Sequence, residues 1–140
     1  MKTAFLDSSV LFSAVNSPTG GSSKLFILTR VKLTTSPLVL IEVERNVREK
    51  LQSHHLDRFF MLAGKIKILD QKPDKKRILE AQKVIAEKDA SILAEAKEAK
   101  TDFLVTLDKK HFLTKDIEKF LNKQKVLTPK MLIEEVEIDS

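Results

Sequence analysis

Three aspartates stand where chemistry is easiest to arrange. Asp7 closes the apolar run Thr3-Ala4-Phe5-Leu6, and Asp108 lies two residues past Phe103-Leu104-Val105-Thr106. Asp89 opens a helical pattern in which Ile92, Leu93 and Ala96 follow at i+3, i+4 and i+7, so it shares their apolar face. Each has an ordinary explanation when taken singly. An aspartate in a strand-to-helix turn is common, and Asp89 suits a helix N-terminus. Together they say more. A carboxylate on an apolar face is costly unless a cation or hydrogen bonds compensate, and three acids meeting at one sheet edge repel one another. Hard divalent ions of the magnesium type use carboxylate oxygens of this kind, with water filling the shell. Two-metal sites so built activate water and stabilise the leaving oxygen in phosphodiester cleavage.

Two further acids, Glu42 and Glu44, follow Pro37. Leu40, Val43, Val47 and Leu51 form the apolar stripe of that segment; Glu44 lies nearer its edge, while Glu42 neighbours Leu38 and Val39. Periodicity does not choose between them.

The elements that must position these acids alternate. Thr3–Asp7 reads as a strand, and Ser8-Ser9 as the cap of a helix carrying Val10, Leu11 and Ala14. Residues 16–22 form a loop, and Ser22 or Ser23 opens a helix through Leu25-Phe26-Ile27-Leu28. Lys32–Thr35 is a second strand, with Pro37 in the first turn of a helix over 37–52. Residues 55–63 are helical, Lys65–Leu69 alternates as a strand, and two helices run from Pro73 to Glu87 and from Lys88 to Lys100. Phe103–Thr106 is a buried strand, Asp116 opens a helix, Val126–Thr128 is a short strand, and Pro129 begins a last helix. Short apolar strands separated by helices predict a three-layer α/β/α sandwich around a mainly parallel sheet of four or five strands. In such folds the site lies at the carboxyl ends of the strands, which selects Asp7 and Asp108.

Composition sets the bounds. The 140 residues fit a single domain spanning 1–140, and 42% hydrophobic residues suffice for a core. The longest apolar run, Phe59–Ala63, is far short of the roughly 20 residues of a membrane span. There are no cysteines, which excludes disulfides, thiol catalysis and cysteine-bound zinc. The expectation is a soluble, cytoplasmic domain. A net charge of +5 favours a polyanionic partner, although a Lys/Glu-rich surface with three Asn and four Gln also accounts for it. Eight Phe without Trp or Tyr make no evident stacking platform. There is no phosphate-binding glycine loop, since the three glycines are Gly20, Gly21 and Gly64. A phosphatase of the haloacid-dehalogenase type would need a second Asp where Ser9 stands. His54-His55 face different sides of a helix, His111 could lie near Asp108 but reads as a surface histidine, and Lys75-Lys76-Arg77 and Lys109-Lys110 as solvated charge.

Four segments in order resemble the PIN domain, a family of small metal-dependent ribonucleases. Phe5-Leu6-Asp7-Ser8-Ser9-Val10-Leu11-Phe12-Ser13-Ala14 resembles its opening: a strand, an Asp, two small polar residues, then an apolar helix. Ser36-Pro37-Leu38-Val39-Leu40-Ile41-Glu42-Val43 resembles the second motif, in which the acid before the branched residue is the ligand; the resemblance therefore selects Glu42. Lys88-Asp89-Ala90-Ser91-Ile92-Leu93-Ala94-Glu95-Ala96 resembles the third, and Asp102-Phe103-Leu104-Val105-Thr106-Leu107-Asp108 the fourth. The resemblance implies RNA cleavage by a water activated by Mg²⁺ or Mn²⁺ on Asp7, Glu42, Asp89 and Asp108, with Thr106 hydrogen-bonding a site carboxylate. It also implies a small inhibitor protein of the antitoxin type and a homodimer as partners. Ser9 departs from the usual Asn, and Lys110 stands where many members carry an acid or Asn; a lysine there would replace one metal ion's charge or contact substrate phosphate. The alternative is a PIN-like module that binds RNA or a partner protein without cutting.

Overall fold

A computed structural model describes residues 1–70 and 72–138. Five strands, β1 (Lys2–Leu6), β2 (Val31–Thr35), β3 (Lys67–Ile68), β4 (Phe103–Val105) and β5 (Lys125–Leu127), form one sheet in the order β3-β2-β1-β4-β5. Every pairing is parallel. The connecting helices are α1 (Ser8–Asn16), α2 (Gly21–Lys24), α3 (Pro37–Lys50), α4 (His54–Ala63), α5 (Lys75–Gln82), α6 (Glu87–Ala99), α7 (Lys109–Phe112), α8 (Lys115–Leu121) and α9 (Pro129–Ile138).

The strand order explains the layers. From β1 through β2 to β3 the chain steps one way along the sheet, so right-handed crossovers put α1, α3 and α4 on one face. From β3 it jumps back over β2 and β1 to β4, which puts α5 and α6 on the other. Accordingly α1 packs against α3 and α4, and α5 against α6. The central strands β1 and β4 are buried on both faces by Phe5, Leu6, Leu104 and Val105, as continuous apolar runs in parallel sheets must be.

Local chemistry moves several boundaries. Asp7, not Ser8 or Ser9, caps α1, its side chain accepting from the Ser8 N–H. Gly20 precedes α2, which continues as a 3-10 turn over Leu25–Ile27. The edge strand β3 keeps only two of its five alternating residues, because Lys65 and Ile66 are taken up in turn hydrogen bonds to Leu62 and Ala63. The helix after Pro73 stops at Gln82, well before Glu87, and Ala86 precedes α6. The short α7 has too few residues to show a helical period.

Candidate active site

The register of β1 on β4 builds the site. Leu6 pairs with Val105, and the Asp7 N–H continues the ladder to the Val105 carbonyl at 3.0 Å. Asp7 and Thr106 therefore leave adjacent strands side by side, and the Thr106 hydroxyl donates to Asp7 Oδ2 at 2.8 Å. Ser9 Oγ donates to the same oxygen at 2.8 Å, while the Ser8 N–H donates to Oδ1 at 2.7 Å. Asp7 is buried but has both oxygens engaged, as a buried carboxylate requires.

The network reaches Asp108 through the backbone. Thr106 Oγ1 accepts from the Asp108 N–H at 3.0 Å, and Ser9 Oγ accepts from the Leu107 N–H at 3.1 Å. The serine that replaces the family's usual Asn thus holds both Asp7 and the chain leading to Asp108. Asp108 caps α7, accepting from the His111 N–H at 3.2 Å, and its oxygens lie 2.9 and 3.0 Å from His111 Nδ1. Buried Phe112 anchors this short helix and leaves Lys109, Lys110 and His111 outside.

Asp89 joins by charge. It lies half-buried in the first turn of α6, where an acid also suits the helix dipole, and Ala86 rather than Asp89 occupies the cap position. Burial first, and then the negative charges of Asp7 and Asp108, hold its carboxyl above the ordinary range, against the opposing pull of Lys88 and His111. Asp7, Asp89 and Asp108 therefore share one electrostatic neighbourhood at the carboxyl edge of the sheet.

The remaining positions stand apart to differing degrees. Glu42 is half-buried on α3, beside buried Val43, and among the described residues it makes no hydrogen bond or ion pair. Glu44 pairs with Arg48 at 3.1 Å on the surface of the same helix, with Ile41, Arg45 and Glu49 around it. Lys110 is exposed on α7. Among the described residues no three His, Asp or Glu side chains come close enough to hold one metal ion. The donor set is nevertheless the right one for a hard cation: carboxylate oxygens at one edge, one of them held protonated longer than usual, by burial first and by its acidic neighbours second. His111 is the exposed histidine the sequence suggests, and it also lies against Asp108. The signal of that contact was the i+3 spacing from Asp108, which brings a ring nitrogen onto a helix-capping carboxylate. The rings of His54 and His55 lie with centroids 4.1 Å apart, closer than side chains on different sides of a helix would place them.

The family model that matches is the PIN domain, over residues 4–118. The chain belongs to the PIN domain family. The match includes all four acidic segments and every strand but β5. Solved structures agree on the PIN fold. VapBC2 from Rickettsia felis, bound to a DNA fragment from its promoter, is 17% identical over 90% of this chain and 98% of its own, with a TM-score of 0.70. PAE2754 from Pyrobaculum aerophilum is 13% identical over 98% and 96%, with a TM-score of 0.64. VapC20 from Mycobacterium tuberculosis, described as a toxin that cleaves the sarcin-ricin loop, is 14% identical over 79% and 93%, with a TM-score of 0.58. A comparison with curated proteins finds no match. Among the described residues no helix is long and apolar enough to cross a membrane.

Proposed function

We propose that the chain is a single-domain, metal-dependent endoribonuclease that hydrolyses RNA phosphodiester bonds at the carboxyl edge of its sheet. The observation that supports this reading best is geometric: one hydrogen-bonded network of Thr106 and Ser9 holds the Asp7 carboxylate and the backbone leading to Asp108 at the carboxyl edge. In this reading Asp7, Asp89 and Asp108 hold the ion, with Glu42 of α3 as a fourth ligand. A bound Mg²⁺ or Mn²⁺ would supply Lewis-acid charge to the scissile phosphate and a reactive water. The chain's own residues do the rest. Ser9 and Thr106 fix the Asp7 carboxylate so that it need not reorganise when an ion arrives. Lys110, exposed beside Asp108, contacts substrate phosphate, and the +5 balance favours RNA generally.

Partners follow from surface and kinship. Two of the structural relatives are toxin–antitoxin complexes, VapBC2 and one from Klebsiella pneumoniae. On this chain the packed pair α3 and α4 leaves Ile41 62%, Phe60 52% and Met61 49% exposed, apolar side chains that a small antitoxin-like inhibitor protein or a second copy would cover.

One observation favours a second reading. Since no three donors gather closely among the described residues, a PIN-like module that binds RNA or a partner without cutting also accommodates the geometry. Cleavage of a generic RNA in Mn²⁺, abolished by EDTA, supports the nuclease. RNA binding without cleavage, and no heat on Mn²⁺ titration, supports the binding module.

A further inference from the structure

One buried carboxylate has no part in that chemistry. Glu95 of α6 is only 9% exposed, and its Oε1 accepts from the Ser36 hydroxyl at 2.9 Å across 59 residues of chain. Ser36 is itself 1% exposed and caps α3, accepting from the Val39 N–H at 3.2 Å. The residue before it, Thr35, donates its hydroxyl to the Leu6 carbonyl at 2.8 Å, directly before Asp7. A continuous polar path therefore joins the end of β1, the start of α3 and the middle of α6. These are the three elements that carry Asp7, Glu42 and Asp89.

The path crosses between layers. The helices α3 and α6 lie on opposite faces of the sheet, and the Glu95–Ser36 bond spans its carboxyl edge. An apolar residue at 95 would bury without the cost of desolvating a carboxylate, and burial does push the Glu95 carboxyl up, against the Ser36 hydrogen bond. A single directed bond is what an apolar residue could not provide. The Ser36 hydroxyl has one proton, and with its lone pair committed to Val39 that proton points at Glu95. The negative oxygen also sits at the positive end of α3, where it is best tolerated.

We infer that Glu95 is a positioning residue which, through Ser36, sets the spacing between α6 and α3 and so the distance between Asp89 and Glu42. This rests on the proposed metal site for its functional consequence, though the spacing itself is independent of any metal. Among the described residues this is the one side-chain hydrogen bond between α6 and the cap of α3; both helices otherwise pack on the sheet, on opposite faces.

Because the chain has no cysteine, a label pair at Ile41→Cys on α3 and Glu87→Cys on α6 reports that spacing without background. Glu95→Met conserves volume but accepts no hydrogen bond from Ser36; Glu95→Gln keeps an acceptor. The expected result is one narrow inter-label distance in the parent and in Glu95→Gln, and a broadened or displaced distribution in Glu95→Met. Mn²⁺ affinity measured by calorimetry should fall about tenfold in Glu95→Met, as when a supporting partner is lost, and be restored in Glu95→Gln. Should Glu95→Met not fold by circular dichroism, Ser36→Gly decides, since glycine is an acceptable helix cap that cannot donate to Glu95. A distance distribution in Glu95→Met, or in that second variant, that superimposes on the parent's overturns the inference. A parent that takes up no Mn²⁺ overturns the metal site instead, and the label distances still decide on Glu95.

Discussion

Thr106 donates its hydroxyl to Asp7 Oδ2 across 2.8 Å and accepts from the Asp108 N–H at 3.0 Å. One fully buried hydroxyl thus holds the acids that end two adjacent strands. Thr106→Val keeps the branched shape and removes both bonds. It leaves a buried carboxylate short of one donor and a backbone N–H without its acceptor, which costs about 1–3 kcal/mol. The urea midpoint should fall accordingly. Ser9→Ala, which loses the second donor to Asp7 and the acceptor for Leu107, should lower the midpoint in the same direction.

Asp89→Asn tests the shared charge. Asp89 has a raised folded-state pKa, from burial and from Asp7 and Asp108. A raised carboxylate favours folding when protonated and costs stability once pH passes above its unfolded value, near 4. At neutral pH the asparagine relieves that cost. The metal-free variant should melt higher than the parent, and it should lose Mn²⁺-dependent cleavage. Thermal melts in EDTA check the first half; a variant that melts lower would show Asp89 to be a structural acid.

Glu95 carries the same sign at a different place. Burial raises its pKa, with the Ser36 hydroxyl opposing. Glu95→Gln should therefore raise the melting temperature at pH 7, and the advantage should shrink as pH falls and vanish below the unfolded value of about 4, where the parent's carboxyl is protonated in both states. A melting series across this range reads it directly.

How far these features were legible from the residues differs with their range. Asp7 and Asp108 could be read because each ends a continuous apolar strand, and parallel sheets gather such residues at one edge. The sheet and its order of elements follow from the same short apolar runs, whereas the PIN kinship rests on the resemblance of four acid-bearing segments. Asp89 could be read as an acid on an apolar face near a helix start; the backbone begins α6 at Glu87, which puts Asp89 in the first turn and Ala86 at the cap. His111 could be read as a surface histidine near Asp108, but not as its hydrogen-bond partner, because α7, four residues of Lys-Lys-His-Phe, shows no helical period. The Ser36–Glu95 bond was beyond reach. No pattern links a serine and a glutamate 59 residues apart on elements that pack on opposite faces. Glu42 was singled out over Glu44 by resemblance; the structure places Glu44 in a surface pair with Arg48, and Glu42 half-buried on the same helix.

Salt should separate binding from bulk charge. If Lys and Arg contacts to phosphate dominate, RNA affinity falls steeply as salt rises. Lys110→Glu, beside Asp108, should weaken binding more than Lys32→Glu. Lys32 lies in the amino half of β2, by a cavity of about 520 Å³ that Met1, Leu25 and Ile66 also line, away from the carboxyl edge. Filter binding at two salt concentrations is enough. Equal losses would assign the charge to the general surface.

The central claim is that the acids at the carboxyl edge bind a divalent ion in order to cut RNA. The most direct measurement is a thermal melt of the parent and of Asp7→Asn with EDTA and with Mn²⁺, run beside a cleavage assay on generic RNA. The parent should be stabilised in proportion to the logarithm of Mn²⁺ over its dissociation constant, about 2.7 kcal/mol at a hundredfold excess, and should cleave only with metal. Asp7→Asn should do neither. A parent whose melting and RNA are both indifferent to Mn²⁺ contradicts the account.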